Sequence, residues 1–398
     1  MMKICFVDLF MDLTCSGGSM HSLDLYAATL AEAGHDVSIL TFHPQRNIGF
    51  ERDKKPYKII EEPLNISSSI DLAFGVEKAL KLHESDGFDV FHIHDPRLLL
   101  AGALYRRSGG KVPVVGDLNT YLFQMKNLGN SGLLSLPLSL VHSLRLSMIS
   151  KHVDLLFPVS PYVREVYVKK GVEHKKLITV PDGFDFGIFQ HVQTGAKKHE
   201  QKKSDSAQQK RFRLLYVGRL EKTKGVDVTI RALAILNQTQ SPDAHTVEFV
   251  FNIVGEGPER ANLESLANEL GVSGWVKFHG FVDYASLSKL YSVSDAFVHA
   301  ARWEEPFGRA IVEAMHFGLP IVAANIGAPP WVANGACVTF EPENIHGLVV
   351  GIERVYGEES LKEKLSESAF KRATEFEVEK TTSKFLEAYK LLGIGNAK

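Results

Sequence analysis

The stretch from Glu305 to Ala323 places two carboxylates, Glu305 and Glu313, eight residues apart across a loop that opens into a helix. The pattern predicts a loop over 305–308, a helix over 309–317, Gly318 at its end and an apolar strand after Pro320. Glu305 then sits at the helix N-terminus. Glu313 falls about two turns in, on a helix whose other face, Ala310, Ile311, Ala314 and Met315, is apolar. A junction of this kind is built to hold a polar ligand.

A second junction, Val217 to Gly225, follows an apolar run and carries Arg219 and Lys224 in a loop flanked by Gly218 and Gly225. Two cations so placed suit a diphosphate. The Walker order G-x-x-x-x-G-K-[ST] is absent, which removes the main support for an ATPase. A third junction, Val254 to Pro258, puts Gly255 at a strand end, where small residues leave room for a flat ring or a phosphate. Ser16-Gly17-Gly18-Ser19 lies between the first strand and the first helix, where Gly17 and Gly18 let backbone amides approach a phosphate. The full G-x-G-x-x-G fingerprint is missing, which disfavours a nicotinamide or flavin cofactor.

These junctions need strands to end beside them, and the pattern supplies two sets. In the first half the predicted strands are 3–9, 37–41, 89–93, 112–115 and 155–159; in the second they are 212–217, 247–254, 276–278, 296–299 and 321–324. Helix-period segments alternate with them, as in Leu23, Ala27, Leu30 and Ala31, closed by Gly34, and in Val226, Ile230, Leu233 and Ala234. Two α/β layers follow, with the chemistry at junctions where strands end, which is where open parallel sheets bind ligands. The 398 residues exceed one ordinary core, which agrees with two domains. Between them, 190–209 holds lysines, glutamines and serines with no aromatic residue, and reads as a basic insertion that is a solvated face or a contact for anionic lipid.

Composition excludes several classes. A formal net charge of −2 gives no global pull toward nucleic acid. Cys5, Cys15 and Cys337 form neither a disulfide framework nor a zinc spacing and suit a reducing compartment. The first residues lack the uninterrupted apolar run of a secretory signal, and no window of about 18 apolar residues exists, so the expected location is cytoplasmic.

In order and spacing these segments resemble the retaining GT-B glycosyltransferases of the family 4, or group 1, type. The resemblance covers nearly the whole chain: GGSMHSLDLYAATLAEAGHDVSILT, PDGFDFGIF at 181–189, VGRLEKTKG, VGEGP, FHGFV at 278–282 and EPFGRAIVEAM. It implies two Rossmann-like, doubly wound domains facing a cleft: an acceptor domain over 1–189, a linker over 190–211, a nucleotide-sugar domain over 212–375 and a C-terminal helix over 376–398 crossing back to the first. It also implies that Arg219 and Lys224 hold the diphosphate of a nucleotide sugar, Glu313 the ribose hydroxyls and Glu305 the sugar hydroxyls. Amides near Phe307, Gly308 and Arg309 would contact sugar and phosphate. The strand end before Phe281 would receive the base, with Gly218 and Gly255 at the neighbouring junctions, and Gly17 and Gly18 would close over the diphosphate. The reaction implied is transfer of a hexosyl group to a hydroxyl of a glycan, glycolipid or polysaccharide precursor with retention. The chain has no Asp-x-Asp triplet of the kind that holds a divalent ion in other glycosyltransferases, so neither metal nor cofactor is expected.

Two departures concern the acceptor. Many relatives carry a histidine after the fourth strand of the first domain, where an alignment of 112–118 as strand puts Asn119, with Asp117 close by; His94, at the end of the preceding strand, is the other candidate. Relatives also show a glutamate where this chain has Trp331. The apolar segment 133–149, with His142 and Arg145 among leucines, predicts a helix from about Leu138 that either lies on a membrane, delivering a lipid-linked acceptor, or is buried. The alternative of another class is a catalytically silent nucleotide-sugar-binding or scaffold protein with the same fold.

Overall fold

The structure is a computed structural model that describes residues 1–13, 18–48, 52–64, 68–122, 138–189, 211–238 and 247–395. Gly17, Cys15, the first residues of the apolar segment at 133–137 and the linker residues 190–210 lie outside the described residues. The chain divides into two compact units, Met1–Phe184 with Val378–Lys398, and Asp185–Glu377.

The first unit is a parallel six-stranded sheet: β1 (Lys3–Val7), β2 (Asp36–Thr41), β3 (Lys58–Glu61), β4 (Val90–Ile93), β5 (Val114–Leu118) and β6 (Leu155–Pro158), in the order β3-β2-β1-β4-β5-β6. The second repeats the plan with β7 (Arg211–Val217), β8 (Glu248–Val254), β9 (Val276–Gly280), β10 (Ala296–His299), β11 (Ile321–Ala324) and β12 (Cys337–Phe340), in the order β12-β11-β10-β7-β8-β9. Strands buried on both faces explain the apolar runs: every residue of β10 and β11 is buried. In each sheet the strand order reverses between two central strands, β1 beside β4 and β7 beside β10, and the crevice at the carboxyl ends of such a pair is where doubly wound sheets take ligands.

Strand boundaries shift from the expectation at one informative place. The strand expected over 112–115 begins instead at Val114, because Pro113 has no N–H and the amide of Val112 bonds to the Tyr105 hydroxyl at 3.1 Å. It runs on to Leu118, so Asp117 lies in the sheet and Asn119 directly after it. Two strands, β3 and β12, were not expected from the pattern. Both are sheet edges, where one neighbour and partial exposure leave too short an apolar run to stand out.

The core of the first unit gathers Ile4, Phe6, Leu23, Ala27 and Val90 with Phe385 and Tyr389 from the helix Val378–Leu391. The core of the second gathers Leu214, Val226, Ile230, Leu233, Phe251 and Val298. The apolar stripes on the helices Gly18–Glu32 and Val226–Gln238 therefore each cover their own sheet. No helix among the described residues is long and apolar enough to cross a membrane.

Candidate functional site

At the carboxyl edge of the second sheet the backbone stitches adjacent loops together. The Gly218 amide donates to the Val254 carbonyl at 3.0 Å and the Gly255 amide to the Gly280 carbonyl at 2.8 Å. A side chain at Gly255, whose φ is 125°, would meet the Gly218 carbonyl at 2.0 Å. The loops after β7, β8 and β9 thus lie backbone against backbone, which only glycine permits.

Across the reversal, the loop after β10 brings Glu305 to the turn after β7. Lys224 Nζ donates to Glu305 Oε1 at 2.6 Å and Trp303 Nε1 to the same oxygen at 3.3 Å. His299, the last residue of β10, sets Nε2 3.4 Å from Oε1 without hydrogen-bond geometry, and that buried nitrogen has no hydrogen-bond partner among the described residues. Among the described residues no donor is bonded to Oε2 of Glu305. Burial alone would raise the Glu305 carboxyl, yet the His299 imidazole and the Lys224 ammonium beside it hold it well below the usual carboxylate range. Glu305 is 5% exposed, so this is a buried carboxylate kept ionised by its neighbours.

The other cation behaves differently. Arg219 bonds Glu221 at 2.6 Å, but its side chain is 74% exposed and open to a ligand, while its carbonyl accepts from the Tyr216 hydroxyl at 2.8 Å. Burial, with Glu305 and Glu221 nearby, pushes the Tyr216 phenol far up, so it stays a proton donor.

Glu313 lies in the helix Arg309–His316, whose N-cap is Gly308 at φ 108°. Its Oε2 accepts from the Tyr291 hydroxyl at 2.9 Å; burial raises its carboxyl, against the pull of Arg309 and Tyr291. The two glutamates that the sequence pairs by spacing therefore bond different partners. Phe307 is buried, its ring 5.5 Å from Phe376 and 6.5 Å from Trp331, so this residue offers its backbone rather than its ring. Phe281, directly after β9, is instead 74% exposed.

In the first unit Gly18 opens the helix Gly18–Glu32 after β1. His94 follows β4 and donates or accepts through Nδ1 with Asp117 Oδ2 at 2.7 Å; His92 Nε2 meets Asp117 Oδ1 at 2.9 Å, and His92 Nδ1 meets the Tyr389 hydroxyl at 2.6 Å. Burial would raise Asp117, but the two imidazoles hold it down to about 2. Asp8, after β1, is buried too; burial and the neighbouring Asp95 push it up to about 7, against His94 and Arg97. Asn119 is half-buried at the end of β5 and is not part of this network.

Sequence reading missed His299, Trp303 and Tyr291 as neighbours of the two glutamates, His92 as a partner of Asp117, and Tyr389 as the partner of His92. His299 had one available signal, its place at the end of a strand beside the sheet's first strand. Trp303 lies two residues before Glu305 but carries no pattern that marks it as a partner, and Tyr291, His92 and Tyr389 come from other elements and leave no spacing to read. Among the described residues no group of three or more His, Cys, Asp or Glu side chains is arranged to hold a metal ion.

Comparison with known proteins gives two family matches, Glycosyltransferase Family 4 over residues 16–187 and Glycosyl transferases group 1 over residues 197–372. The chain is 26% identical over 359 residues to an uncharacterized glycosyltransferase of Methanocaldococcus jannaschii, covering 87% of this chain and 86% of the relative. Its fold matches that of a glycosyltransferase from Rickettsia africae with a TM-score of 0.74 at 19% identity, over 100% of both chains. It also matches Anabaena HepE, solved in complex with UDP, with a TM-score of 0.73 at 20% identity, over 98% of this chain and 100% of that one. With one family model on each doubly wound unit and the fold shared along the full length, this chain belongs to the GT-B glycosyltransferases of the family 4, group 1 type.

Proposed function

We propose that the chain is a retaining, metal-independent hexosyltransferase that moves a sugar from a nucleoside diphosphate to a hydroxyl of a glycan, glycolipid or polysaccharide precursor. The observation that carries this reading is the ionised Glu305, anchored through Oε1 by Lys224, with Arg219 exposed on the same turn. Breaking the bond from the anomeric carbon to the phosphate puts negative charge on the leaving oxygen and positive charge on the sugar. Lys224 and Arg219 offer cations to the first, and Glu305 Oε2 accepts from sugar hydroxyls beside the second. The acceptor oxygen bonds to the anomeric carbon on the face the phosphate leaves, and its proton passes to the departing phosphate oxygen. No protein nucleophile is needed. Glu313 and the exposed Phe281 are assigned to the ribose hydroxyls and the base, Gly218, Gly255 and the amides of Phe307, Gly308 and Arg309 to phosphate and sugar, and His94 or Asn119 to the acceptor hydroxyl.

Anabaena HepE, solved with UDP, with UDP and glucose, and with UDP-glucose, supports a nucleotide sugar as the donor class. Metal independence is supported by the two cations on the turn and by the missing Asp-x-Asp triplet. A lipid-linked acceptor at a cytoplasmic membrane face is supported by the helix Leu138–His152, which leaves Leu140 and Leu144 exposed. The test is thermal stabilisation by UDP-, GDP-, ADP- and dTDP-sugars with and without a chelator, followed by turnover with lipid and glycan acceptors. Chelator-insensitive stabilisation by one nucleotide class, lost in Glu313→Ala and Arg219→Ala, is expected. Stabilisation without turnover on any acceptor would favour a binding protein instead.

A further inference from the structure

Arg302 stands three residues before Glu305, in the loop after β10, and none of the roles above uses it. Resting on the donor reading above, we infer that Arg302 is a positioning residue: a clamp that fixes the turn carrying Lys224, so that Lys224 meets Oε1 of Glu305 and Oε2 is left to the donor sugar.

The bonds converge on one guanidinium. Arg302 Nη1 and Nη2 donate to Asp227 Oδ1 and Oδ2 at 2.6 and 2.7 Å, a fork on the first turn of the helix Val226–Gln238. Nη1 also donates to the Lys222 carbonyl at 2.9 Å, and the Arg302 amide to the Thr223 carbonyl at 2.8 Å. Two consecutive carbonyls of the turn just before Lys224 therefore accept from this one residue. Nε donates to Glu343 Oε1 at 2.8 Å. Glu343 has φ 63°, and it is the non-glycine residue with positive φ among the described residues. Such a conformation persists where its surroundings require it, and here it carries a carboxylate to Arg302.

Arg302 is not itself a cation for the diphosphate, because two carboxylates already hold it and its side chain is only 20% exposed. It acts through Lys224. The lysine stem has four rotatable carbons, and a half-buried ammonium aimed at a single oxygen needs its backbone fixed; the Arg302 bonds and the close approach of Gly225 to the Ala300 carbonyl provide that. A lysine at position 302 keeps the charge but has no fork to span Asp227 and the Lys222 carbonyl together.

The experiment compares the full chain with Arg302→Lys, Arg302→Ala and Glu343→Ala, measuring UDP, GDP and ADP binding by calorimetry, melting temperature, and amide exchange over 222–225 without nucleotide. The expected result is binding of the preferred nucleotide weakened about tenfold or more in both Arg302 variants, with exchange over 222–225 accelerated and Glu343→Ala intermediate. If Arg302→Ala does not fold, Arg302→Lys and Glu343→Ala carry the comparison. Wild-type binding that is lost in Glu313→Ala but unchanged in Arg302→Lys, even with a lower melting temperature, overturns the clamp and leaves the donor reading standing. A wild-type chain that binds none of these three nucleotides and no dTDP either overturns both.

Discussion

Lys224, Trp303 and His299 all face one oxygen of Glu305, and the consequence is a buried carboxylate that is costly to disturb. Removing one partner of such a pair typically costs about 3–5 kcal/mol, because the other charge stays buried. Its pH dependence has a definite sign. Glu305 and Asp117 are held below their ordinary values, so their contribution is present above the ordinary carboxylate range and is lost as pH falls through their folded values. Asp8 runs the other way: raised from 3.8 to about 7, it favours the fold fully below 3.8 and costs stability as pH climbs through 7. We expect Asp8→Asn to be more stable than wild type by a margin that widens from pH 5 to pH 8 by about 3 kcal/mol at most. Melting curves at both pH values check this. A constant margin would show that Asp8 does not titrate in that interval.

The turn between β7 and the helix Val226–Gln238 is where local backbone geometry bears most directly on the site. Gly225 has φ 66°, and a side chain there would stand 1.8 Å from the Ala300 carbonyl, a backbone atom that cannot swing away. Gly34, at φ 89°, has the same kind of backbone but nothing within 4 Å. Replacing each with alanine separates the two causes. Gly34→Ala is expected to cost about 1–2 kcal/mol from backbone strain alone. Gly225→Ala adds the displaced loop, about 1–3 kcal/mol more, and takes nucleotide binding with it. Denaturant titration and calorimetry on both variants decide it, and equal losses would show that the close approach does not matter. The edge strands β3 and β12 make a related point about elements. They complete the sheets through pairing with β2 and β11, and their short apolar runs are sufficient because a partner strand is already in place.

At the scale of the molecule, the first unit is discontinuous in sequence. The helix Val378–Leu391 belongs to it, with Phe385 packed 4.7 Å from His92 and 5.3 Å from Phe157, and the Tyr389 hydroxyl bonded to His92. A chain ending at Glu377 would uncover those rings and leave the His92–Asp117–His94 network without its outer hydroxyl. Buried polar networks missing one member are costly. Hydrogen exchange on that truncated chain is expected to show lost protection over β4, with β7 still protected, since the second unit, 185–377, keeps its own core. Protection of β4 at the wild-type level would mean that the helix is dispensable.

The sequence by itself determined the two α/β layers, because strands buried on both faces must be apolar runs and their covering helices must be amphipathic. It also determined which two segments carry these residues, since Gly218, Arg219 and Lys224 lie together after one strand and Glu305 and Glu313 lie eight apart after another. Tertiary structure decided the partners. Lys224 and Glu305 are 81 positions apart, and His92 and Tyr389 are 297 apart, so no spacing could pair them. They meet because the order β12-β11-β10-β7-β8-β9 sets β10 beside β7, and because the last helix folds onto the first sheet. Strand order is fixed by which faces can be buried together, a property of the assembled core that is not written in any one segment.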